Sequence, residues 1–382
     1  MSAIRKVGEL TIAHLINDIY APVLMALQPV LITMYGYGYL EAALLPVVHS
    51  LTSSLLQPIF GYLADNKGRK VSIGISILLS GIGISFLGFI PNQYLAMLLC
   101  VALSGVGHAS FHPGALCQVS ILATGSSRGK LTSLFVVGGN MGMALGPIIA
   151  GIILTTGGMP QVVWLIVPAV ATALFLHMFP LSDACKVKQE KKSDTKENWG
   201  PVMLLFSGAT LRSWVTFGAM TFLPTYLVLE GYSLLIATTW VSVMMIAGVA
   251  GQLFGGTLSD RIGRKKVVVI TTFASIPAFI AILMTHGIFL IASMILFGFL
   301  LWSSFSVTIA MSHEMIPSKI GLISGLFLGI AMGAGAIGVS VSGVLADTFG
   351  LYASLEIFPV ILAVSVIIFM LVKSPSSPSY SE

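Results

Sequence analysis

The sequence predicts an all-α polytopic membrane protein with twelve transmembrane helices in two six-helix bundles. Hydrophobic residues make up 56% of the 382 residues, and charged residues make up only 9%. An ordinary soluble domain carries about a quarter charged residues, so this composition cannot cover a water-exposed surface. The apolar residues also form runs near the length of about 20 residues that crosses a bilayer as a helix. We therefore expect the chain to be embedded in a lipid bilayer and to bind no nucleic acid.

Twelve apolar runs follow one another along the chain. They cover residues 8–35, 40–63, 71–90, 93–122, 129–156, 160–180, 200–229, 233–258, 267–285, 288–314, 319–347 and 350–373. No small-residue cleavage site follows the first run, so it is predicted to be a retained helix rather than a signal peptide. The polar stretch 182–199 separates an N-terminal bundle, 1–181, from a C-terminal bundle, 200–373, and residues 374–382 form a tail.

The lysines and arginines orient the predicted helices. Of the 19 basic residues, 18 lie at the termini or in even-numbered connections, and none lies in an odd-numbered connection. Cytoplasmic loops carry an excess of basic residues. Both termini, the linker and the tail are therefore predicted to be cytoplasmic, in the inner membrane of a cell. The net charge of +5 follows from this topology, and Arg212, inside the seventh apolar run, is the one exception.

A ten-residue motif occurs twice. The stretch "GYLADNKGRK" (61–70) reappears as "GTLSDRIGRK" (256–265), and each copy follows the second helix of its half. The glycines permit a tight turn, and the aspartate can pair with the basic residues of the motif. The alternative interpretation is an ordinary basic loop. Two aligned copies in parallel orientation favour two homologous bundles related by an axis along the membrane normal.

This motif resembles the loop signature of the major facilitator superfamily of secondary transporters, and the resemblance covers essentially the whole chain. It implies the major facilitator fold. It also implies a place in the cytoplasmic gate for Asp65, Arg69, Asp260 and Arg264.

A narrower resemblance is carried by four stretches of the first half. Together they are similar to the fosmidomycin-resistance branch, whose members export a small phosphonate antibiotic and related compounds: "HLINDIY" (14–20), "SSLLQPIFGYLAD" (53–65), "GVGHASFHPGA" (105–115) and "FVVGGNMGMALGP" (135–147). Gly114 departs from that branch, which commonly has an acidic residue there. The stretch "GMALGPIIAG" (142–151) is similar to a pattern associated with antiporters.

Ionisable groups inside a membrane are costly and usually face a cavity or a partner. Those predicted near the middle of the bilayer are Asp18, His49, His108, His112 and Arg212. In the resembled fold, every one of them falls on a helix that lines or flanks the central cavity. The resemblance therefore implies substrate binding or proton coupling for these residues.

Two pairs of these groups share a helix face because they are four residues apart. His14 with Asp18 suits a proton carrier, although Asp18 could instead only pair with a neighbouring helix. His108 with His112 suits a proton relay because histidine titrates near neutral pH; alternatively, His112 and Pro113 shape a helix break. Two histidines are too few for a metal site, so the sequence predicts no metal and no cofactor.

Arg212 has several interpretations. It pairs with Asp18 across the two halves, or it binds an anionic substrate through its bidentate fork, or it does both in alternating states. A purely structural ion pair is the remaining alternative. Trp302, in "WSSFSVT" (302–308), is a further candidate for the substrate path, although hydroxyl-bearing residues also join helices structurally.

We predict a proton-coupled efflux antiporter that works as a monomer by alternating access. Its partners are protons and a small anionic or amphiphilic substrate, fosmidomycin-like or another drug. A proton-coupled importer of a small organic anion is the alternative, since the same residues serve either direction. A membrane-embedded sensor or enzyme is the alternative from another class. We predict no enzyme, because the sequence contains no nucleophile–base set and no Gly-rich phosphate loop.

Overall fold

The computed structural model describes residues 3–67, 71–122, 128–179 and 198–373, which form helices joined by short turns. Helices α1 to α6 are Ala3–Tyr35, Tyr39–Lys67, Ile73–Ser85, Tyr94–Leu122, Arg128–Gly157 and Ile166–Met178. Helices α7 to α13 are Trp199–Leu229, Leu234–Ile262, Arg264–Met284, Gly287–Met315, Ile320–Ser324, Ala331–Phe349 and Leu351–Leu371. These ranges contain no strand, so the all-α class is confirmed.

The lengths of the helices fit a membrane protein. Within the described ranges, eleven helical segments are long and apolar enough to cross a membrane. A further apolar segment, Ile73–Phe89, is shorter and consists of α3 with a 3-10 turn, Phe86–Phe89. Another 3-10 helix, Met159–Leu165, precedes α6, where the sequence predicted one continuous span. The expectation of about twelve apolar helices is confirmed.

The eleventh predicted span, 319–347, is not one regular helix. The short helix α11 is followed by a π-helical segment, Gly325–Ile330, before α12 begins. A π-helix bonds each residue to the fifth rather than the fourth along the chain, and such segments occur often at functional sites. Hydropathy does not distinguish the two kinds of helix, so the sequence could not show this change.

The described residues separate into two compact units. Unit 1 comprises those within 1–189, 217–243 and 336–355, and unit 2 comprises those within 190–216, 244–335 and 356–382. Unit 1 therefore includes the end of α7, the start of α8 and the end of α12. The predicted division into bundles 1–181 and 200–373 remains a prediction. Residues 182–197 of the predicted linker and the predicted tail 374–382 lie outside the described residues.

Glycines on α5 allow close packing against α1 in unit 1. A Cβ atom at Gly142 would overlap the backbone carbonyl of Leu15, and one at Gly146 would lie 2.8 Å from the carbonyl oxygen of Ile19. Small residues let helix backbones approach closely in membranes. A glycine on α4 acts in the same way, since a Cβ at Gly105 would lie 2.7 Å from the carbonyl oxygen of His49 on α2. These contacts bring α1, α2, α4 and α5 around the ionisable residues of α1.

The first turn of α2 is capped by a residue of α12. Both oxygens of the Asp347 carboxylate accept hydrogen bonds, one from the backbone N–H of Tyr39 at 2.7 Å and one from that of Leu40 at 2.9 Å. The backbone N–H of Gly38 donates to Glu41 at 3.0 Å. The first amides of a helix have no partner within the helix, and a negative charge is favourable at this end of the helix dipole. The carboxylate therefore ties the end of α12 to the start of α2.

Unit 2 is also built on close helix contacts. A Cβ atom at Gly248 of α8 would lie 2.7 Å from the indole ring of Trp302 on α10. On another face, the hydroxyl of Ser365 on α13 donates to the carbonyl of Gly208 on α7 at 2.9 Å. The turn between α8 and α9 contains Gly263 with a φ of +95°, a conformation that favours glycine. The tight turn that was predicted from the glycines of the repeated motif is thus present at Gly263.

Candidate functional site

The centre of the candidate site is the carboxylate of Asp18, which is only 5% exposed. Its Oδ2 atom lies 3.1 Å from Nε2 of His14, one turn earlier on α1. Its Oδ1 atom lies 3.8 Å from Nδ1 of His108 and 3.7 Å from Nε2 of His112, both on α4. The structure therefore joins the two pairs that the sequence identified separately. We call these four residues the His–Asp cluster.

The backbone determines which nitrogen of His14 faces Asp18. The Nδ1 atom of His14 lies 2.9 Å from the carbonyl oxygen of Phe135 on α5, and the two rings stack with centroids 4.2 Å apart. A carbonyl oxygen only accepts hydrogen bonds, so Nδ1 must carry the proton of the neutral ring. In the neutral ring, the Nε2 atom that faces Asp18 then carries a lone pair. If the ring gains a second proton, that proton lies on Nε2 and is shared with the carboxylate of Asp18. This contact is thus a place where the protein can hold or release one proton.

His112 is held in the same way. Its Nδ1 atom lies 3.0 Å from the carbonyl oxygen of His108, so Nε2 is again the nitrogen directed at Asp18. Helix α4 runs without a break past Pro113. The predicted alternative of a helix break at this proline is therefore wrong, since the helix continues to Leu122.

Asn17 and Ser80 complete the polar network, and the sequence did not predict either of them. The Nδ2 group of Asn17 donates to Oδ1 of Asp18 at 2.9 Å and lies 3.1 Å from Nδ1 of His108. The hydroxyl of Ser80 on α3 donates to Oδ1 of Asn17 at 3.1 Å. Because Nδ2 is a donor, Nδ1 of His108 acts as an acceptor. Asn17 is adjacent to Asp18 in sequence, and adjacent helical positions do not face each other, so helical spacing gave no reason to select it.

Gly139 on α5 is a third residue that the sequence did not select. A Cβ atom there would overlap the imidazole of His14 and lie 2.7 Å from Oδ2 of Asp18. The absence of a side chain therefore leaves the space that the His14–Asp18 contact occupies. The only signal in the sequence was the glycine-rich stretch 138–142, which also reads as ordinary helix packing.

His49 lies beside the cluster rather than within it. It is 2% exposed, its ring centroid lies 5.4 Å from that of His108, and its Nε2 atom has no hydrogen-bond partner among the described residues. The residues able to hold a metal are a different set, His14, Asp18 and His112, whose ligand atoms all lie within 4.8 Å of one another. The sequence had paired His108 with His112 and found no third ligand.

Arg212 lies in unit 2, on α7, and is 3% exposed. Its guanidinium carbon is 5.4 Å from the ring centroid of Phe305 on α10, and its Nε atom has no hydrogen-bond partner among the residues that the structure describes. No carboxylate in the described part of the chain lies within the 4.0 Å of Arg212 that would make an ion pair. Trp302, the candidate of α10, packs on Gly248, whereas Phe305 was not predicted. The pairing of Arg212 with Asp18 remains a prediction.

The second copy of the repeated motif forms an ion-pair cluster at the ends of α8 and α10. Arg264 lies 2.6 Å from Oδ1 of Asp260 and donates to the hydroxyl of Ser259 at 2.5 Å. Its Nε atom donates to Glu314 at 3.0 Å. Of the first copy, Arg69 and the side chain of Asp65 lie outside the described residues. The gate assignment of all four motif residues remains a prediction.

Comparisons with known proteins agree with the fold described above. The family model of the Major Facilitator Superfamily matches residues 10–327 and 235–382 of the chain. The chain is 30% identical over 373 residues to an uncharacterized MFS-type transporter, YfnC, of Bacillus subtilis (strain 168), with 94% of this chain and 91% of that protein covered. It is also 30% identical over 359 residues to the fosmidomycin resistance protein of Escherichia coli (strain K12), with 89% and 86% covered.

A solved structure supports the same fold. A bacterial homologue of the human lysosomal transporter Spinster, in an inward-facing and occupied conformation, aligns with a TM-score of 0.84 over 96% of each chain. The sequence identity in that alignment is 16%. Identity at this level supports the fold alone.

Proposed function

This chain belongs to the Major Facilitator Superfamily, and from that premise we propose that it is a proton-coupled efflux antiporter for a small anionic or amphiphilic compound. Its relatives are membrane transporters rather than enzymes. Proton coupling, the direction of transport and the substrate class are the parts that we propose. One observation carries the proton coupling, namely the buried carboxylate of Asp18 among three histidines.

The partners of Asp18 support proton coupling. A carboxylate paired with arginine would stay ionised, because arginine does not lose its proton in proteins. Within the described residues, the basic groups within 4.0 Å of Asp18 are the imidazoles of His14, His108 and His112. Histidine changes its charge near neutral pH. A proton gradient can therefore load and unload this cluster during a transport cycle.

Arg212 supports an anionic substrate. A guanidinium offers five N–H donors in a planar fork that matches the oxygens of phosphonate, phosphate or carboxylate groups. Arg212 has no ion-pair partner in the described ranges, which is unusual because charged groups in membranes are almost always paired. We propose that the anionic group of the substrate supplies that partner during transport, with Asp18 as the alternative in another state.

The remaining elements of the proposal concern the transport cycle. Rocking of the two halves would expose the site to each side in turn, and the ion pairs of Arg264 support a gate at the repeated motif. We propose that the protein works as a monomer in the inner membrane, with both termini in the cytoplasm. The fosmidomycin resistance protein among its relatives makes fosmidomycin the first substrate to test.

Transport in vesicles of known orientation tests the proposal. Everted vesicles that contain the protein are loaded with labelled fosmidomycin from outside while respiration acidifies their interior. Antiport predicts accumulation that disappears when an ionophore collapses the gradient. Matched vesicles without the protein are the control.

Import would give the reverse pattern. A proton-coupled importer would accumulate the anion only in right-side-out vesicles with an acidic exterior. Two results would refute proton-coupled transport. In the first, no tested phosphonate, organic acid or hydrophobic drug accumulates in either type of vesicle. In the second, a compound accumulates to the same extent with and without the proton gradient.

A further inference from the structure

The geometry points to a binding site for one divalent transition-metal ion, formed by His14, Asp18 and His112. Two imidazole nitrogens and a carboxylate are a ligand set that suits Zn²⁺, and three protein ligands leave a fourth position open for water or another group. The set was not apparent in the sequence, because His112 lies on a different helix from the other two residues. Metal binding here goes beyond proton-coupled transport and does not depend on it.

Hydrogen bonds at the opposite nitrogens orient both imidazoles toward the metal position. Nδ1 of His14 donates to the carbonyl oxygen of Phe135 at 2.9 Å, and Nδ1 of His112 donates to that of His108 at 3.0 Å. A histidine that ligates a metal almost always donates its other N–H to a carbonyl, a carboxylate or water, which fixes the ring and its tautomer. Both rings in this cluster have that arrangement, so their Nε2 lone pairs are directed at Asp18.

The distances between ligand atoms are close to those of a metal site. Ligands at about 2.05 Å from a tetrahedral ion lie about 3.3 Å apart. His14 Nε2 is 3.1 Å from Oδ2 of Asp18, and His112 Nε2 is 3.7 Å from Oδ1. All the ligand atoms lie within 4.8 Å of one another. The separations therefore exceed the tetrahedral value by at most about 1.5 Å, which is the distance by which the ligand atoms have to approach one another to surround an ion.

The other ionisable groups nearby do not serve as ligands in this arrangement. Nδ1 of His108 lies 3.1 Å from the donor group of Asn17. The ring of His49 lies 5.4 Å from that of His108, centroid to centroid, and His49 is not among the residues whose ligand atoms lie within 4.8 Å of one another. The side chains of His112 and His108 are 17% and 20% exposed, whereas that of Asp18 is 7% exposed, so α4 forms the more accessible side of the site.

A metal ion at this site and a proton shared between His14 and Asp18 cannot be bound at the same time. The ion needs the lone pairs of both Nε2 atoms and an ionised carboxylate, so binding releases to solvent any proton shared between His14 and Asp18. Bound metal would also join α1 to α4. If the proposed function is correct, micromolar Zn²⁺ should inhibit proton-driven transport. This inhibition rests on the proposed function, whereas metal binding itself does not.

Calorimetric titration of the purified, chelator-washed protein with Zn²⁺ alone tests the site. We expect one ion per chain, with a dissociation constant in the micromolar range or below. His14→Asn and His112→Asn each keep an amide donor for the backbone carbonyl and remove the Nε2 ligand, and Asp18→Asn removes the charge. Each variant should bind Zn²⁺ at least about tenfold more weakly. Mutation of a residue that only hydrogen-bonds to a metal ligand already weakens metal binding by about 10- to 100-fold, so loss of a ligand itself should weaken it at least as much.

His177→Asn is the matched control, because His177 is an exposed histidine at the end of α6. Loss of binding in the three ligand variants, with the control unchanged and all four proteins eluting as folded species, supports the site. Absence of stoichiometric binding to the unmutated protein, or binding that is unaffected by His112→Asn, overturns it. Proton-driven flux measured in chelator-containing buffer tests the transport proposal separately, so either proposal can fail alone.

Discussion

Replacing Gly139 with alanine should separate His14 from Asp18 without unfolding the protein. The added methyl carbon would lie 2.7 Å from Oδ2 of Asp18 and would overlap Nε2 and Cε1 of His14. Nonbonded heavy atoms pack at about 3.5 Å, so the carboxylate oxygen would have to retreat by about 0.8 Å. The imidazole has to move further, which breaks its 3.1 Å contact with the carboxylate.

The energetic size of this change follows from the overlap. An extra methyl group in a well-packed interior costs about 1–3 kcal/mol. If the cost falls on the paired arrangement of His14 and Asp18, the population of that arrangement drops by about 5- to 150-fold. Proton-driven uptake in everted vesicles should fall by a factor in the same range. The purified variant should remain folded, with a free energy of unfolding lowered by no more than about 3 kcal/mol.

Gly8→Ala is the matched control for this variant. Gly8 lies on α1, the helix of His14, and beyond the local backbone of that helix no described heavy atom lies within 4 Å of a Cβ atom placed there. Alanine is more favourable than glycine inside a helix by about 0.5–1 kcal/mol, so this variant should be at least as stable as the unmutated protein and equally active. Equal uptake by the Gly139 and Gly8 variants would refute the role of the His14–Asp18 contact.

Three further predictions concern single side chains. Arg212→Ala should abolish uptake of an anionic substrate while leaving a folded, inserted protein, because the buried guanidinium is the proposed anion ligand; near-normal uptake would remove it from the substrate site. Asp18→Asn should lose proton-driven flux while thermal-shift assays still detect substrate binding, and a flux equal to that of the unmutated protein would dismiss Asp18 as the proton carrier. Asp347→Ala should lower the free energy of unfolding by about 0.5–2 kcal/mol, as for other lost helix caps, and an unchanged unfolding midpoint would contradict the capping role.

The membrane-spanning helices could be predicted because each one is identified by the hydropathy and length of its own segment, without knowledge of its neighbours in the fold. A run such as 288–314 is apolar over a full bilayer thickness, and the structure has α10 at Gly287–Met315. The π-helical segment Gly325–Ile330 has the same hydropathy as a regular helix. Its presence depends on the backbone hydrogen bonds of a folded helix, which composition does not report.

The site was predicted only in part, for a related reason. Asp18 and His112 were found because a charged or titratable group in an apolar run is conspicuous in the sequence. Asn17, Ser80 and Gly139 are common residue types in membrane helices, and they matter here because of what packs against them. The carbonyl of Phe135 that orients His14 leaves no trace in the sequence, since every residue has one.

The cap on α2 has a consequence for biosynthesis. Tyr39 and Asp347 are 308 positions apart in the chain. A ribosome adds about 5–20 residues per second, so roughly 15 to 60 s pass between the synthesis of Tyr39 and that of Asp347. During that interval water or lipid headgroups have to satisfy the amides at the start of α2. The start of α2 therefore reaches its final hydrogen bonding only when almost the whole chain has been made, and a first half expressed alone would never acquire this cap.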